Sequence, residues 1–195
     1  SGNPIYGFDT PAASDGSNSA GIYVENAFTY MEVDPAIAKN VTISDNEIYG
    51  NQWGVYIGNE FDGYAGNVDI NITFTDNYIH DNDDGGVYVA DEDASAGSSV
   101  TVTGSNNTLT DNGGYGYYFT TAGDGAITID LTGETISGHD TGVYIEDTGA
   151  TSTSTYDISI DTSDLSGNTT FGVNNTVTGL TVDMTENWWG AASGP

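Results

Sequence analysis

Large apolar residues alternate with polar ones in short runs along this chain, and the runs return at a nearly constant interval. One run is a Gly followed by alternating large residues. It reads Gly21-Ile22-Tyr23-Val24, Gly54-Val55-Tyr56-Ile57, Gly86-Val87-Tyr88-Val89, Gly116-Tyr117-Tyr118-Phe119 and Gly142-Val143-Tyr144-Ile145, with a degenerate copy at Gly172-Val173-Asn174-Asn175. The glycines are 33, 32, 30, 26 and 30 residues apart. A second run lies between these: an alternating strand, a polar turn and one apolar residue. Its clear copies are Val41 to Ile48, Ile72 to Ile79 and Val102 to Leu109, and weaker copies end at Ile136, Leu165 and Trp188. A short polar pair follows, as in Gly50-Asn51, Asp81-Asn82, Asp111-Asn112 and Gly167-Asn168. The period is two, with no helical period, so each repeat predicts short strands.

Two anchors in one phase, each recurring about every 30 residues, predict a solenoid. The expected fold is all-β, a right-handed parallel β-helix of about six coils. One repeat cannot bury its apolar face alone, whereas coils stacked about 4.8 Å apart place Ile on Ile and Val on Val. Ile22, Val24, Val55, Ile57, Val87, Val89, Val143 and Ile145 are expected inside. Ile48, Ile79, Leu109, Ile136 and Leu165 are expected on another inner face. Asn46, Asn77 and Asn107 occupy equivalent turns and suit an amide ladder between coils. An antiparallel β-sandwich, the competing fold, would not require a recurring phase. Residues 21–195 read as one domain, and residues 1–20, which match no repeat, as a tail, cap or linker. Glu25 to Lys39 reads as an outward excursion, with a short helix after Pro35. Loops at Asn59 to Asn67 and Asp91 to Ser99 leave the next two coils at the same point.

Composition then narrows the class. Apolar residues make up 36% and Gly 27 of the 195 residues, which suits many strands and turns. No apolar run approaches the roughly 18 residues of a membrane span. Neither an initiator Met nor a signal-peptide pattern opens the chain, so Ser1 reads as the start of a mature or excised fragment. There is no cysteine, which excludes disulfides and thiol chemistry. The 29 acidic residues face a single basic one, Lys39, for a net charge of -28. That field excludes nucleic acid and anionic membrane surfaces as partners. It also strains the compact state in dilute buffer, a strain that molar salt screens within about 3 Å. The composition resembles that of proteins from extreme halophiles; an ordinary acidic secreted protein is the plainer reading.

The Gly-Val-Tyr-Ile and Asn-x-Ile-x-x-Asn phrases resemble the parallel β-helix repeats of the pectin-lyase-like superfamily, closest to its NosD-like and carbohydrate-binding-and-sugar-hydrolase repeats. The end, Asn187-Trp188-Trp189-Gly190-Ala191-Ala192-Ser193-Gly194-Pro195, is similar to a phrase that closes such repeats in secreted and surface proteins of archaea and bacteria. The resemblance spans roughly residues 20–195 and implies fold more than function, since the fold hosts lyases, hydrolases, adhesins and stalks. Trp188 and Trp189 are expected to cover the open end of the solenoid. A lyase of this superfamily would combine calcium-binding carboxylates with a basic residue; the chain has no Arg, and its one Lys precedes the first clear strand. Polygalacturonase-like members use Asp residues of adjacent coils with His, and Asn82-Asp83-Asp84-Gly85 and Gly138-His139-Asp140 are similar to pieces of that pattern. These pieces fall two coils apart, about 10 Å along the axis.

Other candidate chemistry is read from the residues themselves. Alternation sends Tyr23, Tyr56, Tyr88, Tyr118 and Tyr144 outward, as a vertical ladder that stiffens the sheet or as a stripe that binds glycans or proteins, with Phe61 and Tyr64 nearby. Asp81, Asp83 and Asp84, with Asp91, Glu92 and Asp93 one strand later, offer oxygen ligands for calcium; solvated acidic turns are the plainer reading. His80 and His139 read as exposed turn histidines. Glycosylation sequons occur at Asn40, Asn71, Asn106, Asn168 and Asn174, about as many as composition alone gives. The expected function is a non-catalytic extracellular or cell-surface structural or adhesive module, in a layer, stalk, fibre or filament adapted to high salt. Its partners would be neighbouring copies, other surface proteins or glycans. The alternative is a polysaccharide-active hydrolase or carbohydrate-binding module that uses acidic turn residues.

Overall fold

The computed structural model describes residues 3–6, 19–25, 37–59, 68–91, 99–121, 125–149 and 155–190. Three parallel sheets run the length of a solenoid. The first contains β1 (Asn3–Tyr6), β4 (Asn46–Tyr49), β7 (Tyr78–His80), β10 (Thr108–Thr110) and β13 (Thr135–Ser137). The second contains β2 (Ala20–Glu25), β5 (Trp53–Asn59), β8 (Gly85–Asp91), β11 (Tyr115–Thr121), β14 (Thr141–Asp147) and β16 (Phe171–Asn175). The third contains β3 (Ile37–Ser44), β6 (Val68–Thr75), β9 (Ser99–Ser105), β12 (Ala126–Thr132) and β15 (Thr155–Asp161).

The chain visits the sheets in the order second, third, first. Four coils carry all three strands, where about six were expected. In the next coil the first-sheet strand shrinks to a bridge from Thr135 to Asp164. Beyond β16, the last pass survives as the bridges Ser159–Asp183 and Asp164–Trp188. At the other end, Asn3–Tyr6 pairs with β4, so part of the segment read as tail, cap or linker is sheet backbone. Lys39 lies inside β3, in register with Ile70, rather than before the first strand. The excursion expected at Glu25 to Lys39 therefore narrows to residues 26–36, which lie outside the described residues, as do Phe61 and Tyr64.

Stacking follows the apolar alternation. Ile48, Ile79, Leu109 and Ile136 are in register and fully buried, with Leu165 buried one coil further on. Val55, Val87, Tyr117 and Val143 form a second inner column. The recurring Gly of the first anchor has a steric cause. A Cβ on Gly86 would lie 2.7 Å from the Gly116 carbonyl oxygen and 3.0 Å from a Leu109 methyl. Gly54 and Gly116 meet the same two kinds of neighbour, and Gly142 meets the Gly172 carbonyl oxygen and the Asn168 amide. The corner between the first and second sheets leaves no room for a side chain.

Two further columns flank the short first-sheet strands. Asp45, Asp76, Asn106, Gly133, Thr162 and Glu186 precede them with positive φ, and Gly50, Asp81, Asp111, Gly138, Gly167 and Gly190 follow them in the same conformation. Asn, Asp and Gly tolerate this left-handed region best, which accounts for most of the choices made there. Among the described residues no helix is long and apolar enough to cross a membrane.

Candidate functional site

Each left-handed residue of these two columns except Gly190 is followed by a polar side chain, and these line up into two ladders. In the first, the Asn46 Nδ2 donates to Asn77 Oδ1 (3.1 Å), Asn77 to Asn107 Oδ1 (2.9 Å) and Asn107 to Glu134 Oε1 (3.0 Å). The Glu134 backbone N–H then reaches Ser163 Oγ, and that of Ser163 reaches Asn187 Oδ1. In the second, Asn51 donates to Asn82 (3.0 Å), Asn82 to Asn112 (2.8 Å), Asn112 to His139 Nε2 (3.1 Å), and His139 Nδ1 to Asn168 Oδ1 (3.1 Å). The expected ladder is present. The second was legible only as a polar pair after each apolar residue, and its Asn spacing of 31 and 30 residues was the signal.

His139 is therefore not an exposed turn residue: it is 1% exposed. A neutral imidazole has one donor and one acceptor, as the ladder requires, and burial holds its pKa below the ordinary value against the Asn168 bond and Asp111. His80 also departs from expectation. Its ring stacks between Tyr49 (5.0 Å) and Tyr78 (4.1 Å), with Nδ1 2.7 Å from Asp81 and Nε2 3.5 Å from Glu47.

The first ladder changes chemistry at Glu134, a carboxyl 1% exposed in the core. Tyr117 Oη donates to its Oε2 at 2.9 Å. Burial lifts this carboxyl from its ordinary 4.5 to about 7, against the lowering effect of the bonds from Asn107 and Tyr117. Burial, and then Glu134, also raises the Tyr117 phenol. Room for the Glu134 carboxyl comes from Gly104, which stands where neighbouring coils carry Phe74 and Leu131. A Cβ there would lie 2.6 Å from Leu131 and 3.2 Å from Glu134.

On the outer face of the second sheet, Tyr23, Tyr56, Tyr88, Tyr118 and Tyr144 pair in register. Successive ring centroids are 4.8, 4.9, 5.1 and 5.1 Å apart, with interplanar angles of 4°, 14°, 12° and 31°. The rings thus face one another along the axis and turn their edges outward. Only Tyr23 is largely exposed, at 48%, and Tyr56 is 5% exposed with its ring over Gly58. Tyr118 and Tyr144 both donate to the Glu146 carboxylate. Burial and then that bond hold the Tyr118 phenol well above its ordinary pKa.

Beside this ladder lies a cleft of ≈ 440 Å³ lined by Trp53, Asp84, Tyr88, Gly114, Tyr115 and Tyr118. Trp53 and Tyr115 stand outside the stack, their rings parallel with centroids 6.4 Å apart. Trp53 reaches that position over Gly85, where a Cβ would be 2.3 Å from its ring. Gln52 Nε2 donates to Asp84 Oδ2 at 2.6 Å. The opening exists because the fourth coil carries Gly113-Gly114 in the turn where the third carries Asp83-Asp84. Trp53, Tyr115 and Gln52 had no repeat partner of their own type, so periodicity did not mark them.

The remaining candidates scatter. Asp81, Asp83 and Asp84 are exposed in the turn before β8, while Asp91 is buried at its far end, about 20 Å away at 3.3 Å per residue. Asp93 and Glu92 lie outside the described residues. Among the described residues no three His, Asp or Glu side chains gather as for a metal ion. Of the sequons, Asn40 and Asn106 are exposed, and Asn71 donates to Asn40 at 3.2 Å. Asn174 pairs with Tyr144, and the Asn168 amide donates to the Ile136 and Leu165 carbonyls. At the closing end, Trp189 packs on the core and over Gly172, but Trp188 is 49% exposed. One tryptophan rather than two does the covering.

Residues 15–155 match the family model described as right handed beta helix region. No curated protein and no solved structure matches the chain.

Proposed function

We propose that this chain, which belongs to the right-handed β-helix family, is a non-catalytic structural or adhesive module of a cell-surface or extracellular assembly adapted to high salt. One observation carries the reading. The polar and aromatic residues that recur coil after coil are spent on the neighbouring coil, as two internal hydrogen-bonded ladders and one external tyrosine stack. Such columns stiffen a rod along its axis. The acidic side chains fit the salt adaptation: Asp45, Asp76, Asp81, Asp83, Asp111, Asp130, Asp140 and Asp157 are all exposed, and the ion pairs among the described residues involve only His80.

The alternative, a polysaccharide hydrolase or carbohydrate-binding module, draws on the place of Asp84 at the aromatic cleft. Glycoside hydrolysis pairs two carboxyl groups across the scissile bond, and Asp84 is the one carboxylate among the lining residues. Incubation with a panel of polysaccharides in molar salt decides between them. The structural reading expects no turnover and ordered filaments or arrays by electron microscopy. Turnover that Asp84→Asn abolishes would overturn it.

A further inference from the structure

We propose that the tyrosine ladder is a one-electron relay. A strong one-electron oxidant, such as an oxygen-centred radical or a high-potential metal complex, takes an electron at Tyr23, and the vacancy moves along the stack to Tyr118. The path has no gap. Ring contacts of 4.8, 4.9 and 5.1 Å join Tyr23 to Tyr56, Tyr88 and Tyr118, at the short end of the range for aromatic pairs. Electron exchange between rings falls off steeply with the space between them, so direct contact at every step is what such a path requires. Its entrance is open and its middle is covered: Tyr23 is 48% exposed and Tyr56 5%. The net charge of -28 gathers cationic oxidants and turns anionic ones away.

The ladder also ends on an acceptor for the proton. A phenol that has lost an electron is a strong acid, and it keeps the radical only if its proton has somewhere to go. Tyr118 and Tyr144 both donate to the Glu146 carboxylate. The sheet puts that group there. In the outward column beside the tyrosines, Gly58, Ala90, Thr120 and Glu146 are register partners. The first three are short and buried, and the Tyr56 ring lies over Gly58. Glu146 is the long side chain that meets the phenol oxygens one coil beyond Tyr118. Before oxidation, burial and then the bond to Glu146 keep the Tyr118 phenol protonated, which is the starting state the step needs.

The electron leaves through Tyr88, Tyr56 and Tyr23 to the oxidant. The Tyr118 O–H bond breaks, an O–H bond forms on Glu146, and Tyr118 is left as a neutral radical. A one-electron reductant such as an enediol returns the electron by the same rungs, and Glu146 returns the proton. A stack that only stiffened the rod would need the ring contacts but no carboxylate at the phenols. The relay does not depend on whether the chain forms filaments.

Flash-generated ruthenium(III) tris-bipyridine, a bulky cationic oxidant, tests it on the full chain in molar NaCl. Transient absorption follows the tyrosyl radical, and electron paramagnetic resonance of freeze-quenched samples identifies it. A long-lived neutral tyrosyl radical is expected in the wild type. Tyr118→Phe should remove most of it, whereas Tyr78→Phe, at a ring 42% exposed and off the ladder, should leave it. Tyr56→Phe keeps the stacked ring but removes the phenol that carries the vacancy. Tyr56 is out of the oxidant's reach, so loss of radical in that variant marks transfer through the stack rather than direct attack on Tyr118. Glu146→Gln should slow the appearance of the radical about a hundredfold, the low end of what a positioned proton acceptor contributes. Circular dichroism checks that each variant keeps the coil. The proposal is overturned if no such radical forms, if Tyr118→Phe or Tyr56→Phe leaves its yield unchanged, if Tyr78→Phe removes it, or if Glu146→Gln forms it at the wild-type rate.

Discussion

Replacing Glu134 by Gln should stabilise the protein above neutral pH and do nothing at pH 4.5. The carboxyl is buried against Tyr117 and Asn107, and its pKa is about 7 in the fold against an ordinary 4.5. A raised carboxyl pKa means that the native state binds the proton more tightly than the unfolded chain does. The stability this proton confers is complete below 4.5 and is lost as pH rises through 7. At about 1.4 kcal/mol per pKa unit the loss approaches about 3 kcal/mol by pH 8. The other acidic side chains, which dominate a net charge of -28, repel one another and so favour the acid side as well. They are common to both proteins, so the difference between wild type and Glu134→Gln isolates the buried group. A Gln amide accepts the Asn107 bond and donates to the Tyr117 oxygen, which preserves the ladder. Urea unfolding followed by circular dichroism, in constant molar salt from pH 4.5 to 8.5, measures it. The variant's advantage should grow from nothing to about 3 kcal/mol across that window. A difference that is flat with pH, or a variant weaker than wild type at pH 8, would refute the reasoning.

Three other outcomes follow from the same geometry. Asn82→Ala strands the donors and acceptors of Asn51 and Asn112 inside the core and should cost about 2–4 kcal/mol in the same urea assay. Gly86→Ala drives a methyl to 2.7 Å from a backbone carbonyl that cannot move without its whole coil, so it should cost about 2–3 kcal/mol or prevent folding, read as soluble yield and melting temperature. Desalting into a chelator should unfold the chain, because self-repulsion of the exposed carboxylates returns as screening is withdrawn; an unchanged far-ultraviolet circular dichroism spectrum would contradict that.

What the sequence makes legible is whatever repeats. Ile48, Ile79, Leu109 and Ile136 share one phase and one column, and the Gly of the first anchor marks the corner where no Cβ fits. The site resisted because it is made of exceptions. Trp53 enters a column that otherwise holds Ala20, Gly85, Tyr115, Thr141 and Phe171. Glu134 and His139 replace Asn in the ladders, and neither reads as an Asn until the partner atoms are known. Tyr117 takes a place in the inner column, and its hydroxyl needs an acceptor when buried. Only the fold reveals that Gly104 leaves space for the Glu134 carboxyl that accepts this bond. Ring direction was equally hidden: alternation says that Tyr88 points outward, and stacking at 4.9 and 5.1 Å decides that its faces are spent on neighbouring rungs.

The three corners of the coil differ in how much change they admit. From the third sheet to the first, each turn places a left-handed residue before the ladder side chain, and from the first to the second another does the same. Adding a residue at either place shifts an inward amide out of register and strands its partners. From the second sheet to the third the connections run over 26–36, 60–67, 92–98, 122–125 and 148–154. Asn59, Asp91, Thr121 and Asp147, the last strand residues before four of these connections, are register partners, so most of the length variation falls at this corner, while the corner from the first sheet to the second varies by a single residue. Repeat intervals of 26 to 33 residues are therefore compatible with an unbroken core. Insertions belong at that corner, whereas the cleft lies at the corner where the chain leaves the first sheet. A solenoid with its variable segments on one edge and a fixed cleft on another can change partners at the first without disturbing the second.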